Sequence, residues 1–160
     1  MKEKEFKALC RKVCVALNYP APDALGDHGR ITIDGVEIAL FFDEQVNPDM
    51  LFCYVDMGPV PEAMRTDMYA QLLTMNLLSG AKTNGVYSLD PNSGNAIFVV
   101  HFMQPEKLDT QLLAQAFTVY ATQTNSLRAM LHDDASKPAA STMTAGPATS
   151  VHSASMVDLA

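Results

Sequence analysis

The extended segments in the middle of the chain are apolar on both sides, and this limits the possible folds more than any other feature. Over residues 36–43, Val36, Ile38, Leu40 and Phe42 alternate to one side while Ala39 and Phe41 fall on the other. Leu51, Cys53 and Val55 oppose Phe52 and Tyr54 in the same way, and Phe98, Val100 and Phe102 oppose Ile97 and Val99. Successive side chains of a strand point to opposite faces, and an antiparallel sheet with one wet face alternates apolar with polar residues. These strands therefore call for cover on both faces. Helices of the same chain can supply one cover, and a second subunit or a bound chain the other.

The turns order the strands. Asp34-Gly35, between segments 30–33 and 36–43, is the two-residue signature of a type I′ hairpin. A third strand is expected over 50–57, and two more over 85–89 and 95–103, joined through Asp90-Pro91-Asn92-Ser93-Gly94. Helical periodicity brackets them. Phe6, Leu9, Val13 and Leu17 recur at spacings of three and four, with Cys10 and Cys14 beside them, until Pro20 and Pro22 stop the helix. A second helix is expected to start at Pro61-Glu62 and end near Ser79-Gly80. A third is expected over 108–131. The order αβββαββα predicts an α+β fold, a twisted antiparallel sheet flanked by helices. Residues 1–132 make this domain. Residues 133–160, rich in Ala, Ser and Thr, are expected to form a flexible tail.

The second helix repeats the excess of apolar surface. Met64, Met68, Leu72 and Met75 make one stripe, and Tyr69, Leu73, Leu77 and Leu78 a second, rotated from the first. A helix with one wet side needs only one apolar stripe. In a domain of this size the second stripe points to self-association, two-fold dimers being the commonest solution, with a central place between the first and third helices as the other arrangement that would cover it.

Charge and motifs exclude much else. The chain of 160 residues carries a formal net charge of −7, and between residues 13 and 109 thirteen acids face four bases. Such a surface repels phosphate backbones, so neither nucleic acid nor an anionic membrane is an expected partner. No apolar run approaches the roughly 18 residues of a membrane helix, and the Lys–Glu alternation at the start lacks an apolar export signal. A cytosolic protein is expected. Cys10, Cys14 and Cys53, odd in number and unlike CxxC in spacing, fit a reduced core. The four histidines are scattered, His101 falls in a strand with an expected structural role, and Asp43, Glu44 and Asp49 form a solvated hairpin end. No phosphate loop, dinucleotide fingerprint, zinc-helix or nucleophile-elbow motif occurs, and no nucleophile stands near a base in sequence. A binding protein is expected rather than an enzyme, with no cofactor and no metal. Two other readings stay open: a small α+β adaptor or regulator holding a folded partner, and an enzyme whose site the sequence does not reveal.

The segment Leu72-Leu73-Thr74-Met75-Asn76-Leu77-Leu78, followed by Gly85-Val86-Tyr87-Ser88-Leu89-Asp90, resembles the corresponding helix end and strand of the Tir chaperone (CesT-like) family. So do the strand over 96–101 and Leu108-Asp109-Thr110-Gln111-Leu112-Leu113 at the opening of the last helix. The likeness spans residues 2–131 and leaves the tail unexplained. It implies a class I type III secretion chaperone: a cytosolic homodimer of a Gram-negative bacterium that keeps a secreted effector export-competent by binding its N-terminal region. By position, it implies a dimer interface at Met68, Leu72, Met75, Tyr87 and Leu89, and effector contacts at Val13, Leu17, Ile31, Ile33, Phe52 and Tyr54.

Overall fold

The computed structural model of the chain describes residues 1–79 and 85–136. Helix α1, Glu3–Ala16, buries Phe6, Cys10, Val13 and Cys14. Its first turn is tied by the Lys2 N–H donating to the Glu5 carboxylate at 2.7 Å. Its last turn closes through Asn18, at φ 53°, with the Tyr19 N–H donating to the Cys14 carbonyl at 2.9 Å. A short helix α2, Ala24–His28, follows, and the sequence did not announce it. Five residues are too few for a periodicity, but Leu25 in its first turn is fully buried and Gly29, at φ 69°, ends it in the left-handed region that glycine favours.

Strands β1 (Arg30–Ile33) and β2 (Val36–Phe41) form the expected hairpin. Asp34 and Gly35 both have positive φ, 49° and 78°, as a type I′ turn requires. Strand β3 runs from Met50 to Pro59, two residues beyond its expected end, because a bulge between Asp56 and Gly58 lets pairing continue. A 3₁₀ turn, Glu62–Met64, leads into α3, Arg65–Ser79. Then come β4 (Gly85–Leu89), β5 (Asn95–Met103) and α4 (Thr110–Ser136). Helix α4 passes its expected end at 131; residues 137–160 of the expected tail lie outside the described residues.

All pairings are antiparallel, in the order β1-β2-β3-β5-β4. One face of the sheet meets α1 and α4, and the main core lies between them. Ile38 pairs with Val55, Leu40 with Cys53, and Cys53 with Val100 on this inner face, against Val13, Leu113 and Phe117. From α4, Arg128 donates to the carbonyls of Gly35, Asp56 and Met57, and Asn125 to that of Asp34. These bonds fasten the helix to the hairpin turn and the bulge. A smaller core of Val60, Met68, Leu72 and Ala96 seats α3.

Candidate functional site

Strand parity places Phe41, Phe52, Tyr54, Ile97, Val99 and His101 together on the outer face of the sheet, opposite α1 and α4. The register makes them neighbours: Phe41 pairs with Phe52, Phe52 with His101, and Tyr54 with Val99. The Phe52 ring lies 6.5 Å from that of Phe41 and 6.4 Å, stacked, from that of Tyr54. The His101 ring stands edge-on to Phe52 at 5.1 Å. Phe41 is 53% exposed and Tyr54 38%. Beside Tyr54, a groove of about 330 Å³ is lined by Leu89, Pro91, Ile97 and Val99. The result is a continuous aromatic and aliphatic ladder open to a partner. Groups of this kind gain by desolvation, and their ring geometry is preset by the sheet.

The residues expected to touch an effector do not all reach this surface. Phe52 and Tyr54 do. Val13 and Ile31 lie in the main core, at 0% and 3% exposure, because α1 and β1 turn those positions inward. Ile33 and Leu17 are partly buried and packed against the same core. Val13 and Ile31 cannot meet a partner without unpacking the domain, which corrects their place in the expected contact set. Phe41 and Val99 belong on the surface instead. Their signal was present in the sequence, in the same strand alternation as Phe52.

A second surface lies on the flank formed by α3 and β4. The two stripes of α3 separate here. Met68 and Leu72, expected at a dimer seam, are buried within the protomer against Val60 and Ala96. That is a correction with a plain cause, since this stripe is the one facing the sheet. In the other stripe Tyr69 packs partly against the same core, and the rest projects outward, with Leu73 70% exposed, Leu77 82% and Leu78 71%. Met75 and Tyr87 are half-buried, and Leu89 lies at the edge of exposure. Asn76 holds α3 to the edge of the sheet. Its amide donates to the Tyr87 carbonyl at 2.9 Å, and its carbonyl oxygen accepts from the Tyr87 N–H at 2.6 Å. The side chain thus does for β4 what a neighbouring strand would do, and closes part of that edge. Gly85 is required in β4 because the Phe98 ring lies over its Cα, where any Cβ would overlap it.

Among the described residues, the thiols and the acidic side chains of the loop over 43–44 have structural surroundings. All three thiols are buried and unpaired. Burial pushes Cys10, with help from neighbouring Cys14, and Cys53 up to about 12, and raises Cys14 as well, so these thiols favour the protonated form of a reduced core. Two acids of the loop hold backbone donors. Asp43 accepts from the Gln45 and Val46 N–H groups, and Glu44 from the Glu3 N–H. Among the described residues no cluster of His, Cys, Asp and Glu could hold a metal ion, and no helix is long and apolar enough to cross a membrane.

Comparison with known proteins agrees with this picture. The model of the Tir chaperone protein (CesT) family matches residues 21–128, more than half of the chain. No curated protein matches the sequence. Among solved structures, a chain of the ExsC–ExsE complex superposes with a TM-score of 0.62 at 12% identity, covering 80% of this chain and 94% of that one. A chain of the HopA1–SchA chaperone–effector complex superposes with a TM-score of 0.57 at 20% identity, covering 78% and 93%. At these identities the likeness speaks for the fold.

Proposed function

The chain belongs to the Tir chaperone protein (CesT) family, and from that premise we propose that it is a cytosolic, non-enzymatic chaperone for a type III secreted effector. The client's N-terminal region lies in extended form across the outer sheet face, where Phe41, Phe52, Tyr54 and Val99 desolvate its apolar side chains. The observation that carries this reading is the aromatic ladder itself. A folded domain leaves so much contiguous aromatic surface open when a partner covers it. Strand addition at the outer edge of β1 complements it, because β4 is capped by Asn76 while, among the described residues, the β1 edge carries the long contact from the Thr32 N–H to the Tyr19 hydroxyl, at 3.5 Å. Holding a client unfolded needs no nucleotide or metal; binding need only compete with the client's collapse.

The working unit is a homodimer joined through the outward stripe of α3, with Leu73 and Leu77 at its centre and Ala70 and Thr74 small enough to let two helices approach. The test is capture of the N-terminal segment of an effector encoded beside this protein. The wild-type dimer retains it, and the Phe52→Asp dimer does not. Full capture by a folded Phe52→Asp protein would overturn the reading.

A further inference from the structure

A groove of about 400 Å³ runs between α3 and α4 on the inner side of the sheet. Met57, Met75, Tyr87, Phe98, Tyr120 and Met130 form its apolar walls, and none of its lining side chains carries a charge. The Phe98 ring is part of this lining, 4.8 Å from the Tyr87 ring and 5.8 Å from that of Tyr120. Met130 stands at the rim, 65% exposed. Next to the groove, the same α3 that supplies Met75 projects Leu77 and Leu78 into solvent.

We propose that this groove receives Leu77 and Leu78 of a second copy of the chain, reciprocally, so that the dimer seam extends from α3 onto α4. The inference rests on the homodimer reading above and adds α4, through Tyr120, Leu127 and Met130, to the surface that forms it.

Three arguments single out a second copy. A two-fold interface is self-complementary, so one patch must carry both the projecting and the receiving parts, and this flank has both. Two copies that each carry a net charge of −7 must meet where like charges do not face each other. The flank supplies such a place, because α3 from Met68 to Ser79 has no Asp, Glu, Lys, Arg or His and the groove walls have none. The groove also opens on the inner side of the sheet, away from the outer face on which a client segment would lie. Its capacity is sufficient. An apolar cavity of about 150 Å³ accepts a benzene, so about 400 Å³ accommodates the ends of two leucines.

Cysteine cross-linking in the full chain tests this. The three native thiols are buried and protonated, so introduced cysteines report alone. Leu77→Cys and Met130→Cys proteins are prepared separately, mixed to exchange subunits, and oxidised gently. The expected product is a covalent dimer containing one chain of each, seen on a non-reducing gel. In light scattering, Leu77→Asp and Met130→Asp should each raise the dimer dissociation constant at least about tenfold. If Leu77→Asp gives monomers while Met130→Asp stays dimeric and the mixed pair does not cross-link, the groove is not part of the seam and the homodimer stands. A wild-type protein that is monomeric at micromolar concentration overturns both.

Discussion

The inner and outer faces of this sheet are built from the same kinds of side chain and end in opposite environments. On the inner face Val36, Ile38, Leu51, Cys53 and Val55 are fully enclosed by α1 and α4. On the outer face Phe52 and Tyr54, one position along the same strand, meet other rings on one side and water on the other. The chemistry of the residues does not distinguish the two faces. What distinguishes them is which face the helices of this chain are long enough and placed to cover. An uncovered apolar face is tolerated when a partner completes it, and the contrast between core and interface can be tested by mutation.

The largest effect is expected on the inner side. Phe117→Ala should cost about 3–5 kcal/mol in chemical denaturation, as expected for a fully enclosed aromatic. Tyr54→Ala should cost well under half of that. Equal losses would mean that the outer face is core too, and the distinction would collapse. On the outer side, Phe52→Asp should lower client affinity roughly thirtyfold, the equivalent of about 2 kcal/mol, with the melting transition little changed. Next comes the link that closes the far edge. Asn76→Ala removes both bonds to Tyr87 and should destabilise the fold by about 1–3 kcal/mol. Hydrogen exchange would then speed up at Tyr87 before it does at Val55.

Alkali probes the inner face alone. Cys10 and Cys53 hold their protons up to about 12 in the folded chain against an ordinary value of 9.0, and burial likewise moves Tyr120 from 10.0 to about 12. The folded state therefore binds more protons than the unfolded state above pH 9. The stability from these groups is fully present below that pH and is lost as the pH rises from 9 towards 12. The melting temperature should fall across that window, and a Cys53→Ala protein should show a shallower fall. The smallest effect belongs to the surface. Arg11 and Asp23 form an ion pair with both side chains more than half exposed, so Arg11→Ala should leave the melting temperature nearly unchanged, and the small difference should shrink further in high salt.

Most of the architecture was legible because its signals are local. The Asp34-Gly35 turn, the strand alternation, the helical spacing of Phe6 to Val13 and the two stripes of α3 each arise within a few residues of chain, where backbone sterics and the periods of strand and helix leave little choice. The outer-face cluster was legible in part, since parity alone sets Phe41 beside Phe52 once register is known. Helix α2 escaped because five residues carry no period.

Only the tertiary structure decided which of two equivalent stripes is core. Nothing in the sequence tells Met68 and Leu72 from Leu73 and Leu77. The choice was made by Asn76 reaching the Tyr87 backbone eleven residues away and by Ala96 leaving room for Met68. The same holds for Val13 and Ile31, whose enclosure depends on α4 crossing the sheet above them, held there by Arg128 on the Gly35 carbonyl of a turn ninety-three positions distant. Periodicity fixes the direction of a side chain relative to its own element. What that side chain meets depends on contacts between segments far apart in sequence, and these exist only once the chain has packed.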